Sequence, residues 1–253
     1  MKIFVCLKPV VNEDNIKIDS NGNIIRESLT LTVNKPDDYA IENAVILKKQ
    51  LNLELIAITM GPQNSIDVLR YAISRGCDRA FLISDPKLKG SDCLITSKVL
   101  SSAIKKILGC EIDYAVFCGV SSDDAHTSMI PAQISYFLNI PFVYQAIECK
   151  FSYSKLVVLT SDAKITVSPP AVISFDISNI IKLSIAPLNL RIKAKTYNPS
   201  IITTQDIGLE ISAKCSPTKV DSTFVKDINL KATEILDMKK EEDIYKIKKI
   251  IYE

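Results

Sequence analysis

The sequence predicts an α/β fold. It should be a Rossmann-like, mostly parallel sheet with helices on both faces, an antiparallel edge extension and an extended C-terminal arm ending in a helix. Three observations carry this expectation. Short apolar runs at residues 2–7, 53–60, 79–84 and 114–118 lack polar alternation, as strands covered on both faces do. Helical spacing follows these runs, and alternating strands and helices imply crossovers within a parallel sheet. Beyond residue 141 the runs turn rich in Val, Ile, Thr and Tyr with short gaps, which reads as antiparallel pairing.

Residues 2–7 form the first strand. The alternating runs 15–19 and 23–26 flank Ser20-Asn21-Gly22 and predict a surface hairpin. Pro36 and Asp37 stand where a helix begins, and Ile41, Ala44, Val45, Leu47 and Lys48 continue at helical spacing. The strand at 53–60 closes on Gly61-Pro62. Ser65 is expected to cap a helix carrying Ile66, Leu69, Arg70, Ala72 and Ile73, which Gly76 ends. A third strand, 79–84, leads into a long helix over 91–108.

The fourth strand, 114–118, ends at Gly119, which permits a sharp exit. Ser121, Ser122, Asp123 and Asp124 are then expected to cap the next helix, leaving its first N–H groups to face an anion. The same stretch also reads as an ordinary capped turn. Runs 142–147, 151–160, 163–167 and 171–175 are assigned as antiparallel strands at the sheet edge. From residue 178 the pattern fades among Pro187, Pro199 and Pro217, then revives as a helix over 230–252 with Ile235, Leu236, Ile244, Ile247, Ile250 and Ile251 as apolar positions. The expected division is a nucleotide-binding domain, 1–195, and an arm, 196–253, whose helix needs a surface to cover.

Composition narrows the function. With 31 basic and 29 acidic residues, net +2, nothing suggests nucleic acid or a membrane surface. Seven cysteines without a Cys-x-x-Cys pair argue for reduced thiols. No apolar segment approaches the ~20 residues of a membrane span. The expectation is a soluble cytoplasmic protein. In a parallel sheet ligands sit at the C-terminal strand ends, here residues 6–9, 60–62, 84–85 and 119–127. Neither a Gly-x-Gly-x-x-Gly nor a Gly-x-x-x-x-Gly-Lys-Ser/Thr element is present, so a nucleotide would be held in another way.

Ordered segments then match a known family. Residues 2–9, the Asn34-Lys-Pro-Asp-Asp-Tyr-Ala-Ile-Glu42 segment, Gly61-Pro62, residues 69–80, Ser84-Asp85, Gly90-Ser-Asp92, the stretch 118–141 and Pro170-Ala-Val-Ile-Ser174 resemble the small (beta) subunit of electron transfer flavoproteins. The resemblance covers about residues 1–195. It implies an adenine nucleotide alpha hydrolase-like domain that pairs with a larger alpha subunit carrying the redox-active FAD, while the small subunit holds AMP or a second FAD. It also implies an electron-carrier subunit rather than a stand-alone enzyme, serving acyl-CoA or other dehydrogenases, with a C-terminal arm that wraps the partner. By position, the cofactor would be held by Cys6, Asn34, Asp37 and Met60, and by a phosphate loop of Asp124, Ala125, His126, Thr127, Ser128, Met129 and Ile130.

Several positions depart from the family pattern. Met129-Ile130-Pro131 replaces Gln-Val/Thr-Gly, Asp124-Ala125-His126 replaces Asp-Gly-Asp, and Asn34-Lys-Pro-Asp37 replaces Asn-Pro-Phe-Asp. Residues 178–182 lack the guanidinium of the family's Asn-Glu-Pro-Arg-like element. His126, the single histidine, is placed against phosphate or solvent rather than in acid–base catalysis. Cys6 and Cys118 read as small buried hydrophobes. Arg70 and Arg75 are candidates to guide an electron-transfer partner. The competing reading is an ATP-using enzyme or nucleotide sensor of the alpha hydrolase-like superfamily, although residues 7–11 do not resemble its glycine- and serine-rich phosphate loop.

Overall fold

The computed structural model describes residues 1–11, 31–124, 126–177, 181–218 and 240–252. The chain divides into two compact units, Met1–Lys219 and Val220–Glu253. The expected hairpin over 15–26 and residues 230–239 of the expected terminal helix lie outside the described residues.

In chain order the first unit contains β1 (Lys2–Cys6), β2 (Pro9–Val11), β3 (Leu31–Val33), α1 (Lys35–Leu51), β4 (Glu54–Met60), α2 (Ile66–Arg75), β5 (Arg79–Ile83), α3 (Cys93–Leu108) and β6 (Tyr114–Gly119). It continues with α4 (Ile130–Leu138), β7 (Phe142–Ala146), β8 (Glu148–Ser152), β9 (Lys155–Leu159), β10 (Lys164–Val167), β11 (Ala171–Phe175), α5 (Leu188–Lys195) and β12 (Ser200–Ile202). The described part of the second unit is α6 (Glu241–Tyr252), where Lys246 and Asp243 pair one turn apart at 4.0 Å. No helix among the described residues is long and apolar enough to cross a membrane.

Seven strands form one parallel sheet in the order β12-β5-β4-β1-β6-β11-β7. Its residues alternate between two cores: Ile3 and Val5 face the side packed by α1 and α2, Phe4 and Cys6 the side packed by α3 and α4. Because both faces are buried, polar residues have no face to occupy, and the runs read as continuously apolar. Phe117 and Phe175, from neighbouring strands, pack with their rings tilted at 58° and 4.8 Å between centroids. Burial of each such side chain contributes about 1.5–3 kcal/mol.

Four expectations are corrected. First, β7 and β11 are parallel members of the main sheet, with β11 inserted between β6 and β7; of the strands after residue 141, β8, β9 and β10 form a separate antiparallel sheet. The run 151–160 is broken by Tyr153 and Ser154, both left-handed, which turn β8 into β9. Second, residues 121–124 cap no helix. The loop runs on, and α4 begins at Ile130 with Met129 at the N-cap position and no side-chain capping bond. Ser65 likewise makes no capping bond; its hydroxyl is buried, and a single 3₁₀ turn, Gln63–Ser65, leads into α2. The helix expected to start at residue 91 starts at Cys93, where Asp92 accepts from the Ile95 N–H at 3.1 Å.

Third, the sheet extends past residue 195. β12 pairs with β5, α5 packs on α2, and the Ala80 N–H donates to the Tyr197 hydroxyl at 3.0 Å, so the first compact unit runs through Lys219. Fourth, Arg75 is no partner guide. It is buried against Asp38 at 2.6 Å, with a second bond to Glu42, and its hydrogen bond to the Tyr71 hydroxyl spans 2.6 Å. Tyr71 donates in turn to Asp38, and Ser184 donates to Glu42 through both N–H and Oγ. Arg70 is also engaged, donating to the Tyr197 carbonyl at 3.1 Å.

Candidate functional site

The strand order reverses at β1: β4 and β5 lie on one side, β6 and β11 on the other. In such sheets the crevice opens at the C-terminal ends of the strands flanking the reversal. Here those ends are the β1 exit, Leu7 and Lys8, and the β6 exit, Gly119 onward. The start of α1 closes the space between them.

Asp37, in the first turn of α1, ties the two exits together. Its Oδ2 accepts from the Lys8 N–H at 2.7 Å and its Oδ1 from the Gly119 N–H at 2.8 Å. Burial pushes this carboxyl up to about 7, against the two backbone hydrogen bonds, which favour its charge. Gly119 is required by this approach: a Cβ there would crowd Asp37 Oδ1 and lie 2.8 Å from both the Asp37 nitrogen and Pro36 Cβ. Asn34, buried at the N-cap position, turns its side chain to the loop instead of the helix. Its Nδ2 donates to the Ser121 carbonyl at 2.8 Å, and its Oδ1 accepts from the Asp123 N–H at 3.0 Å.

Lys8 spans the mouth. Its ammonium lies 2.9 Å from Ser122 Oγ and 2.5 Å from Asp124 Oδ1. Burial opposes the Asp124 charge, but hydrogen bonds from Lys8 and Ser122 outweigh it and hold the carboxyl below its ordinary value. Beyond Asp124, His126 and Ser128 adopt left-handed backbone at φ 51 and 54, and the His126 N–H donates back to Ser122 O at 2.9 Å. Two non-glycine residues in that region within three positions mark a loop held under strain, as binding loops often are. The first turn of α4 leaves the N–H groups of Ile130 and Ala132 without intrahelical partners, and Pro131 has none to offer.

Of the expected site residues, Asn34, Asp37 and Asp124 are brought together directly. Cys6 is buried in the core beneath them beside Cys118, whose thiol is pushed up by its neighbour Cys6 and then by burial. Met60 is half-buried at the β4 exit, against the same core as Cys6. Thr127 Oγ1 meets Cys93 Sγ at 3.2 Å, and His126 is exposed. Met129 is exposed, Ser128 and Ile130 half-buried, and Ala125 lies outside the described residues. Among the described residues no group of His, Cys, Asp and Glu could hold a metal.

Sequence reasoning missed Lys8, although a cation at a strand end facing an expected anion site was the available signal. It also missed the strap that closes the neighbouring strand end. Asp85 accepts from Thr204 Oγ1 at 2.5 Å and from the Lys87 N–H at 2.9 Å, and these bonds hold its carboxyl below the ordinary value. Asp92 accepts from Thr218 Oγ1 at 2.8 Å, while its own N–H donates to Ser216. The β5 exit, expected to join the crevice through Ser84-Asp85, is therefore covered by residues 203–218.

A parallel α/β chain with its open crevice at a reversal of strand order defines the class. Within it, a family profile described as "Electron transfer flavoprotein domain" matches residues 22–182, well over half of the chain. An electron transfer flavoprotein subunit beta of Thermoanaerobacterium thermosaccharolyticum is 31% identical over 236 residues, covering 88% of this chain and 87% of that protein. One from Megasphaera elsdenii is 36% identical over 163 residues, 62% of this chain and 60% of its own. The acryloyl-CoA reductase electron transfer subunit gamma of Anaerotignum propionicum is 36% identical over 144 residues, 56% of this chain and 54% of its own. The matched stretch thus spans little more than half of some of these relatives and nearly all of another. The chain belongs to the electron transfer flavoprotein family, among its beta subunits.

Proposed function

We propose that this chain is the small subunit of an electron transfer flavoprotein, holding AMP or FAD in the crevice between the β1 and β6 exits. It pairs with a larger, FAD-carrying alpha subunit and passes electrons to or from a dehydrogenase, acyl-CoA dehydrogenases being the favoured class. The observation that supports this most directly is the tie of Asn34, Asp37 and Lys8 to the 119–124 loop, which builds one mouth from three distant segments. The acryloyl-CoA reductase relative supports a CoA-linked partner. Seven free thiols, five of them at least partly shielded, support a reducing, cytoplasmic setting.

The residues fit the phosphate end of such a nucleotide. Lys8 supplies a cation, the left-handed backbone of His126 and Ser128 turns the loop sharply, and Ile130 and Ala132 supply N–H groups at a helix N-terminus. Met60 offers an apolar, half-buried wall for a flat base. Flavin, where bound, supplies the electron chemistry itself. The chain's own part is to bind, to orient and to exclude water. Asp37 and Asn34 do this indirectly, by fixing the distance between the two strand exits.

The test is to co-express the chain with its genomically adjacent large subunit, purify the pair, release the ligands and count flavin and AMP. One FAD with one AMP per pair makes this chain a scaffold for one-flavin transfer. Two FAD and no AMP make it a holder of redox flavin. A pair that carries no nucleotide beyond the partner's FAD sinks the nucleotide reading, and failure to pair sinks the subunit reading.

A further inference from the structure

The Lys8 ammonium stands where the β1 exit faces the loop after β6, shared between Ser122 Oγ and Asp124 Oδ1. Both ends of the ion pair are half-exposed, at 43% and 51% side-chain accessibility. Water competes for such a pair, and it is worth no more than about fivefold in an equilibrium constant. It is an interaction that can be exchanged cheaply.

The chemistry around it favours exchange for a phosphoryl group. Asp123 and Asp124 give the loop two negative charges, so a phosphate entering the mouth is repelled until one of them is moved aside or its cation is redirected. A phosphoryl group brings more charge and one more acceptor oxygen than a carboxylate, and a lysine ammonium follows the stronger anion without geometric demand. Asp124 lies two positions before His126, the first of two residues with left-handed backbone, so its carboxylate is held next to a loop that already stores strain.

We propose that Lys8 is the phosphate anchor of this site and that Asp124 is an internal anion that occupies the anchor until a nucleotide displaces it. This rests on the nucleotide reading above and adds a regulatory part to it. The carboxylate keeps the mouth bridged in the free chain and competes with every incoming phosphate. Asp124 therefore weakens nucleotide binding. An aspartate in a binding loop would ordinarily be counted as a ligand, and here its removal improves the site.

The experiment is calorimetric titration of the full chain with AMP and, separately, with adenosine at one ionic strength. Asp124→Asn is expected to bind AMP about two- to fivefold more tightly than wild type. Lys8→Met is expected to bind it about tenfold or more weakly. Adenosine, which has no phosphate, should bind all variants alike, and the Lys8→Met/Asp124→Asn double variant should match Lys8→Met. Weaker or unchanged AMP binding by Asp124→Asn overturns the proposal. So does a gain from Asp124→Asn that persists without Lys8, because simple charge repulsion then explains it. If Lys8→Met loses adenosine as strongly as AMP, the residue is structural and the anchor is refuted. A wild-type chain that binds AMP while every variant equals it defeats the anchor alone; a wild-type chain that binds neither AMP nor FAD defeats the nucleotide reading as well.

Discussion

Asp37 and Gly119 are joined by a 2.8 Å hydrogen bond from the Gly119 N–H to Oδ1, across 82 positions of sequence. The bond exists because Gly119 has no side chain: the place of its Cβ is already taken by the carboxylate and by Pro36. Gly119→Ala should therefore push α1 away from the β6 exit and break the bond. We expect a loss of about 3 kcal/mol, from overpacking together with an exposed or unpaired carboxylate, read from urea midpoints followed by circular dichroism. A variant as stable as wild type would mean that α1 can slide without cost.

Asp37 also makes stability depend on pH in an unusual direction. Folding raises its carboxyl from an ordinary 3.8 to about 7, burial being the cause. The folded chain then binds this proton more tightly than the unfolded chain, so the contribution is fully present below the ordinary value and is lost as pH rises through 7. The loss is on the order of 4 kcal/mol. Asp37→Asn cannot titrate. The stability gap between wild type and Asp37→Asn should favour wild type most below about pH 4, shrink as pH rises toward 7, and be narrowed or reversed by pH 8. A gap that widens with pH would show that the two backbone N–H groups outweigh burial.

Arg75 holds two buried carboxylates, Asp38 and Glu42, between α1 and α2. Arg75→Leu leaves both without their cation. The expected cost is about 3–5 kcal/mol at neutral pH, and less at pH 5, where protonating a carboxylate relieves the pair. Asp38 is already pushed above its ordinary value by burial, so it should take up that proton first. Equal losses at both pH values would count against this account.

Truncation should separate the two units. A chain ending at residue 219 keeps β12 and both strap aspartates' partners, and should remain folded while losing its pairing with a large subunit. A chain ending at residue 200 removes most of β12 together with Thr204, Ser216 and Thr218, and should melt several degrees lower. Size-exclusion chromatography with the co-expressed partner reads the first outcome, thermal melts the second. Retained pairing in the 219-residue chain would remove the arm from the interface.

The sheet was legible wherever burial on both faces leaves a continuous apolar run, as in β1, β4, β5 and β6. Strand order was not legible. Phe142–Ala146 and Ala171–Phe175 have the composition of antiparallel strands, but their parallel seats are fixed by pairing with β6 and with each other, a tertiary choice that local pattern does not encode. β12 is three residues long and draws its stability from β5, so it shows no period of its own. In the site, the convergence of Asn34, Asp37 and Asp124 followed from their places at element ends. That Asn34 and Asp37 spend their side chains on backbone groups did not, because a capping residue and a loop clamp look the same in sequence.

The pairing of β12 with β5 has a consequence for biosynthesis. β5 presents its outer hydrogen-bonding edge as soon as residues 79–83 leave the ribosome, and that edge stays open until residue 202 has followed. Through the intervening synthesis the nascent sheet has an uncovered border of Arg79–Ile83 whose inner residues are strongly apolar. Arg79, at the start of that border and lying over the ring of Phe81, places a charge there throughout the wait.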